Sequence, residues 1–328
     1  MKKRRSYISI LGILFFFSCN PSNEKKNLGE NDGLILSDNH VHIMSPDLIS
    51  DWKDLGIPFS KPDNKYSDID TILNTNRADN IKLIGMGYVY GNSEFYQGND
   101  EYLKVKKEND YLFESAKKHI SKVQPYFAVD PLKDYAITEI ERCLKINENS
   151  GLKLHFSSSQ VYLTEPEHLK KIYSIFKIAS ENNLPILLHF DNWHPKFGKP
   201  DIEILVDKIL KKIGPINLTI AHFGTSGGFN QKTKNVLNTF IELYDNDRIP
   251  KRHKIIFDIS AVALDKDSEG VKKLTEDQFK ELKLYCDKIG FDKISFGTDY
   301  PLYNSKEYFD ILNTKLNLSK SELKEIME

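Results

Sequence analysis

The chain has 328 residues and a formal net charge of −1, because 46 basic side chains balance 47 acidic ones. Such a balance gives no electrostatic reason to expect a nucleic-acid partner. The apolar fraction of 40% supports a sizeable core. The length suits two ordinary domains or one large one, such as an α/β barrel of about 250 residues.

The N-terminus has the pattern of an export signal. Met1–Arg5 is basic, Tyr7–Phe17 is apolar, and Cys19 directly precedes a polar stretch. The apolar run is too short to span a bilayer as a stable helix. It resembles a bacterial lipoprotein signal, and this predicts a signal peptide at 1–18, acylation of Cys19 and a flexible tether at 19–32. The protein is then a lipoprotein of the cell envelope, anchored to a membrane. An ordinary secretory signal and an uncleaved anchor are the alternatives.

Strand-like and helix-like stretches alternate along residues 33–328, which predicts a single domain. The strand candidates are Gly33–Ile43, Ile81–Val89, Val123–Val129, Gly151–Phe156, Pro185–Phe190, Leu218–Phe223, Ile255–Ala261 and Ile294–Gly297. The helix candidates are Tyr102–Ile120, Asp134–Ile146, Glu165–Glu181, Pro200–Lys212, Gln231–Tyr244 and Glu276–Ile289. Several strand candidates are apolar without alternation, as expected for strands buried on both faces. Eight strands with helical crossovers predict a (β/α)8 TIM barrel, and a doubly wound open sheet is the alternative.

Polar side chains collect at the C-terminal ends of these strands, where the active groups of a barrel gather. His40 and His42 share one face of the first strand, because side chains alternate along a strand. Two such imidazoles can share a metal ion, although a pair of this kind taken alone is equally often an ordinary strand end. The other strand ends carry Lys153 and His155 on the fourth strand, His189 on the fifth, His222 on the sixth and Asp299 on the eighth.

These motifs, in this order, strongly resemble the amidohydrolase superfamily. The resemblance is to the amidohydrolase-related branch, which includes amino-carboxymuconate-semialdehyde decarboxylase and several lactonases and hydratases. It runs from about Leu34 to the end of the chain. The loop from Met44 to Asp70 shows no clear family pattern. The matching stretches are Asp38–His42, Val129–Pro131, Gly151–His155, Leu184–His189, Ala221–Gly224 and Phe296–Pro301.

The resemblance implies one catalytic divalent metal, held by His40, His42, His189 and Asp299. Imidazole and carboxylate ligands suit Zn²⁺ best here, with Mn²⁺ or Fe²⁺ as alternatives. Asp299 is also expected to accept a proton from the metal's water. His222 is expected to act as a general acid/base or to polarise a substrate carbonyl. Read locally, Asp299 is instead a helix N-cap and His222 a core histidine.

Lys153 is the ambiguous residue. As a free ammonium it binds a substrate carboxylate or pairs with an acid, which corresponds to the favoured mononuclear site. When carboxylated, it bridges a second metal ion together with His222. His155, Trp193 and His194 are further candidates for contact with substrate, although a structural role for each is open.

The sequence therefore predicts a metal-dependent hydrolase acting on an amide, ester or lactone of a small molecule. A non-oxidative decarboxylase or hydratase on the same metal site is the first alternative. The second is a surface-binding lipoprotein that has lost catalysis. The sequence specifies neither the substrate nor the oligomeric state, and a homo-oligomer is compatible with it.

Overall fold

Within the residues that the structure describes, eight parallel strands form one sheet and follow one another in chain order. The computed structural model describes residues 35–268 and 270–327. The strands are β1 Ser37–His42, β2 Asn80–Ile84, β3 Val123–Ala128, β4 Gly151–His155, β5 Ile186–His189, β6 Asn217–Ile220, β7 Lys254–Asp258 and β8 Ile294–Ser295.

Backbone hydrogen bonds between β1 and the segment that starts with β8 close the sheet into a TIM barrel. The Asn39 N–H donates to the carbonyl of Phe296 at 3.0 Å, and the Tyr300 N–H donates to the carbonyl of His40 at 3.1 Å. The predicted (β/α)8 barrel is confirmed, and the open-sheet alternative is wrong.

Helices follow the strands and cover the outside of the barrel. Their first turns are capped by short polar side chains, as at Ser45, Thr275 and Asn304, each of which accepts a backbone N–H. The helices are α1 Pro46–Asp54, α2 Asn64–Ser67, α3 Ile69–Asn76, α4 Glu101–Lys117, α5 Ala136–Ile146, α6 Pro166–Glu181, α7 Lys199–Ile204, α8 Gln231–Asp245, α9 Glu276–Ile289, α10 Ser305–Thr314 and α11 Lys320–Met327.

Strand residues alternate between the barrel interior and the helix layer. Ile84, Tyr126, Leu187 and Ala221 form a small buried cluster of their own. Their sequence neighbours on the opposite strand face, such as Phe127, belong to the large cluster that includes the helices. The small cluster is thus the apolar layer inside the barrel on which the polar strand ends rest.

Several element boundaries differ from the sequence prediction. The predicted strand Ile81–Val89 ends at Ile84, and Gly87–Gly91 forms a 3₁₀ turn. The predicted strand Leu218–Phe223 ends at Ile220, because His222 and Phe223 have left-handed backbone conformations that cannot continue the strand. The helices α1, α2, α10 and α11 were not predicted, since most are short and follow polar, irregular stretches.

The predicted signal peptide at 1–18, the Cys19 lipidation site and the tether at 19–32 lie outside the described residues. Among the residues that are described, none of the helices has both the length and the apolar character needed to cross a membrane.

Candidate metal centre

Three side-chain atoms converge at the C-terminal mouth of the barrel. The Nε2 atoms of His40 and His42 lie 3.2 Å apart. The Asp299 Oδ1 lies 3.4 Å from His40 Nε2 and 3.3 Å from His42 Nε2. Ligands about 2.1 Å from a tetrahedral zinc ion are separated from one another by about 3.4 Å. The three atoms therefore form a site of the size that a small divalent ion requires, and His40, His42 and Asp299 are called the triad below.

The orientation of His40 is set by Asp258, at the end of β7. The Asp258 Oδ2 lies 2.5 Å from His40 Nδ1, and both side chains are fully buried. An imidazole that donates its Nδ1–H to a carboxylate keeps its Nε2 lone pair for a metal. Sequence reasoning missed Asp258. Its only local signal is an acidic residue that ends the apolar run Ile255–Phe257.

The pKa shifts of all three triad residues favour metal binding. Burial lowers the pKa of His42, and burial followed by the Lys153 charge holds the pKa of His40 well below the usual range. Both rings are then neutral, which is the form that binds metals. Burial raises the pKa of Asp299, but the imidazoles of His222, His42 and His40 outweigh burial and hold that pKa well below its usual range.

His42 also leaves one buried polar atom, Nδ1, without a hydrogen-bond partner among the described residues. Its Nε2 faces His40 and Asp299 instead. Atoms of the described residues alone therefore leave one nitrogen of this buried ring without a hydrogen bond, which is unusual for a buried polar group. The donor set therefore fits a divalent metal at this position.

His222 lies beside this triad, with its ring stacked on that of His40 at a centroid distance of 4.9 Å. Its Nδ1 is 2.9 Å from the carbonyl of Ser260. A carbonyl only accepts hydrogen bonds, so Nδ1 carries the proton and Nε2 has the lone pair. The local reading of His222 as a buried histidine is correct for its burial, and its position next to His40 also suits an acid/base.

His189 is close to the triad but is not one of the three converging atoms. Its ring meets that of His222 edge-on, with centroids 5.2 Å apart. Its Nε2 lies 3.2 Å from the Ser226 Oγ. To act as the predicted fourth ligand, His189 would use Nδ1 or give up Ser226, so this role stays a prediction.

Lys153 points into the barrel from β4 and is almost completely buried. Its Nζ is 3.4 Å from His40 Nε2. Burial lowers the pKa of this lysine to about 8, although Asp299 and Asp258 oppose the shift. A lysine amine so close to the triad can reach both a metal ion and a substrate.

The three residues predicted to contact substrate have different surroundings. The ring of His155 stacks on that of His189. Trp193 is 48% exposed and donates its indole N–H to Ser226, the same hydroxyl that contacts His189. His194 is exposed, and its Nδ1 accepts the Lys196 N–H within its own loop. His155 and Trp193 are therefore connected to the site, whereas His194 contacts its own loop and the ring of Tyr162.

A parallel (β/α)8 barrel with two histidines and a carboxylate at its C-terminal mouth defines the class of metal-dependent barrel enzymes. The model of the amidohydrolase 2 family, described as "Amidohydrolase", matches residues 38–328. The protein is a member of this family. No curated protein matches the chain.

Solved structures share the barrel at low sequence identity. The 5-carboxyvanillate decarboxylase of Novosphingobium aromaticivorans, complexed with manganese and 4-hydroxy-3-methoxy-5-nitrobenzoic acid, has a TM-score of 0.59 and 14% identity over 90% of this chain and 94% of that one. The probable 2-pyrone-4,6-dicarboxylic acid hydrolase of Acinetobacter baumannii, with citric acid bound, has a TM-score of 0.55 and 13% identity over 90% and 97%. The 2,6-dihydroxybenzoate decarboxylase of Rhizobium has a TM-score of 0.56 and 14% identity over 89% and 96%. At these identities the likeness concerns the fold.

Proposed function

We propose that the protein is a metal-dependent hydrolase that cleaves a C–N or C–O bond, as in an amide, ester or lactone, of a small molecule. The observation that carries this proposal is the convergence of His40 Nε2, His42 Nε2 and Asp299 Oδ1 within 3.4 Å of one another. A divalent ion held there by His40, His42 and Asp299 would lower the pKa of a water molecule toward neutrality, and so would supply the nucleophile.

Two side chains are suited to the proton transfers. Asp299, whose Oδ1 lies beside the Nε2 atoms of His40 and His42, accepts the proton of the attacking water. His222 takes up a proton at Nε2 and donates it to the leaving group, while its Nδ1–H stays bound to the Ser260 carbonyl. In this assignment the base and the acid are separate residues, and both are neighbours of His40.

The proposed metal is a single zinc ion, with His189 as the fourth ligand. Two neutral imidazoles and a carboxylate are a common zinc set, but the same donors bind manganese. Manganese is named in the solved Novosphingobium structure, so it is the alternative to test first.

A second candidate is a decarboxylase on the same site. Lys153 is a buried amine 3.4 Å from His40 Nε2, where it can pair with a substrate carboxylate. The stacked rings of His155 and His189 suit a planar substrate beside that amine. Two of the solved structures above are named as decarboxylases of aromatic acids. Release of CO₂ without hydrolytic cleavage would identify this reaction.

The N-terminal pattern supports a further proposal, that the enzyme is a lipoprotein held to the cell envelope through Cys19. The test is expression of the full chain with Cys19→Ser. We expect the parent chain to fractionate with membranes and to incorporate labelled fatty acid, and the variant to do neither. A parent chain in the soluble fraction without label would contradict the lipid anchor.

The hydrolase proposal is tested by metal analysis of the purified protein together with a screen of lactones, N-acyl compounds and aromatic acids. We expect one divalent ion per chain, and loss of both metal and activity in His40→Ala. The control is His119→Ala, because His119 pairs with Asp70 away from the strand ends. Absence of stoichiometric metal, with no turnover of any screened compound by the parent or by His40→Ala, would instead favour a non-catalytic surface-binding lipoprotein.

A further inference from the structure

Asp258 and Ser260 lie under the candidate metal centre and connect two histidines that the proposed mechanism treats separately. Both side chains are fully buried. The Ser260 Oγ is 2.7 Å from Asp258 Oδ2, 3.0 Å from His222 Nδ1 and 3.2 Å from His40 Nδ1. One hydroxyl thus touches the carboxylate and both imidazoles.

A single arrangement of protons satisfies all of these contacts. Asp258 accepts three hydrogen bonds, from the Ser260 N–H at 2.8 Å, the Ser260 hydroxyl and the His40 Nδ1–H. Because the Ser260 hydroxyl donates to Asp258, its oxygen is left as an acceptor toward His222. The His222 Nδ1–H is then shared between the hydroxyl oxygen and the carbonyl of the same serine.

His40, His222 and Asp258 resemble a second metal site, since their ligand atoms also lie within 4.8 Å of one another. The Ser260 contacts argue otherwise. Both Nδ1 atoms are occupied as donors to oxygen acceptors, and a metal ligand must offer a lone pair. This group is therefore a hydrogen-bonded support for the triad on the opposite side of the His40 ring.

We propose that Asp258 and Ser260 act as one positioning unit that holds His40 and His222 in the same tautomer, each with Nδ1 protonated and Nε2 free. The inference rests on the proposed function, in which His40 binds the metal and His222 transfers a proton. Asp258 then orients His40 directly and His222 through the Ser260 hydroxyl. A substitution of either Asp258 or Ser260 should therefore disturb both imidazoles.

The test uses the full chain with Asp258→Asn, Ser260→Ala and the double variant. Glu139→Gln and Ser150→Ala are the controls, because both residues are buried outside the site. Glu139 accepts from Arg142, and the Ser150 hydroxyl donates to the Asn147 carbonyl. The ¹⁵N resonances of the histidine rings in the metal-free protein report the tautomers directly. Zn²⁺ affinity, measured in competition with a chelator, reports the ligand geometry.

We expect Asp258→Asn to weaken Zn²⁺ binding by about 10- to 100-fold, as is usual when the partner of a ligating histidine is lost. The double variant should bind no worse than Asp258→Asn, since the two residues act as a unit. Ser260→Ala should shift the Nδ1 resonances of both His40 and His222, and the controls should shift neither.

Two results would overturn the inference: zinc affinities that match the controls, or losses in the two single variants that multiply in the double. If Asp258→Asn does not fold, the ring resonances of Ser260→Ala decide the question alone. If the parent chain binds neither Zn²⁺ nor Mn²⁺, the proposed function fails, while the ring resonances still show whether the positioning unit exists.

Discussion

The imidazole of His155 lies face to face on that of His189, with ring centroids 3.9 Å apart and planes inclined by 12°. The two residues are register partners on β4 and β5. Tyr88 also stacks on His155, at 4.7 Å. The Ser158 N–H donates to His155 Nδ1 at 3.3 Å, so the proton of the neutral ring is on Nε2. The stack thus holds a hydrogen-bond donor of fixed tautomer next to the metal centre.

Replacing this ring tests whether its donor or its stacking matters. His155→Phe keeps a flat ring but removes the Nε2–H, so we expect KM to rise about five- to tenfold, the effect of one hydrogen bond, with metal affinity unchanged. His155→Ala removes the stack as well and should also weaken metal binding through His189. Steady-state kinetics and Zn²⁺ titration separate the two effects. A phenylalanine variant with the parent KM would show that His155 donates nothing to substrate.

Asp38 joins the first strand of the barrel to the last. Its Oδ1 accepts the backbone N–H groups of His40 and Thr298, at 3.1 and 3.0 Å. Its Oδ2 accepts from the side chains of Thr298, Asn76 and Ser305. The carboxylate is fully buried, so the Thr298 and Asn76 donors depend on it for a partner, whereas the Ser305 hydroxyl also has Asn76 Oδ1 at 2.7 Å.

We therefore expect Asp38→Ala to lower the free energy of unfolding by about 3 kcal/mol or more, because several buried donors lose their acceptor. Urea denaturation measures this loss. Asp79→Ala is the control, since Asp79 accepts the Leu36 N–H at an exposed position, and its effect should stay within about 1 kcal/mol. Equal losses in the two variants would show that Asp38 does not secure the closure of the barrel.

The sequence allowed the barrel and the strand-end histidines to be predicted, because buried parallel strands appear as apolar runs and His40, His42 and Asp299 end such runs. The hydrogen bonds that orient these side chains could not be predicted. The His40 contact with Asp258 joins residues 218 positions apart. Ser226, which contacts Trp193 and His189, lies in a loop after β6 whose sequence gives no sign of either contact. Such contacts depend on tertiary packing, which local periodicity does not encode.

Glu108 links α4 to the start of α1 and gives the protein a pH-dependent stability. Its carboxyl is almost fully buried and accepts the Ser45 N–H at 3.0 Å. Burial raises the pKa of Glu108 from 4.5 to about 7, because desolvation outweighs the hydrogen bonds from Ser45. The folded protein therefore binds this proton more tightly than the unfolded chain between pH 4.5 and 7.

The sign follows from linkage: this stabilising contribution is complete below pH 4.5 and is lost as the pH rises to about 7. We expect the free energy of unfolding of the parent to rise by up to about 3 kcal/mol between pH 7 and pH 4.5, compared with the change in Glu108→Gln over the same range. Urea denaturation at several pH values measures the slope, with Glu114→Gln, an exposed position on the same helix, as the control. Parallel pH profiles for the parent and Glu108→Gln would contradict the assignment.

The distance of 3.4 Å between Lys153 Nζ and His40 Nε2 gives a way to count metal ions. If Lys153 is a free amine beside a single ion, Lys153→Met removes a positive charge near a cation and should not weaken metal binding. The variant should still bind one ion, with kcat reduced because the substrate has lost its amine partner. If Lys153 instead carries a carboxylate that bridges two ions, the parent binds two, bicarbonate increases its metal content, and Lys153→Met binds at most one. Metal analysis of both proteins, with and without added bicarbonate, therefore decides between the mononuclear and binuclear site, and we expect one ion in each.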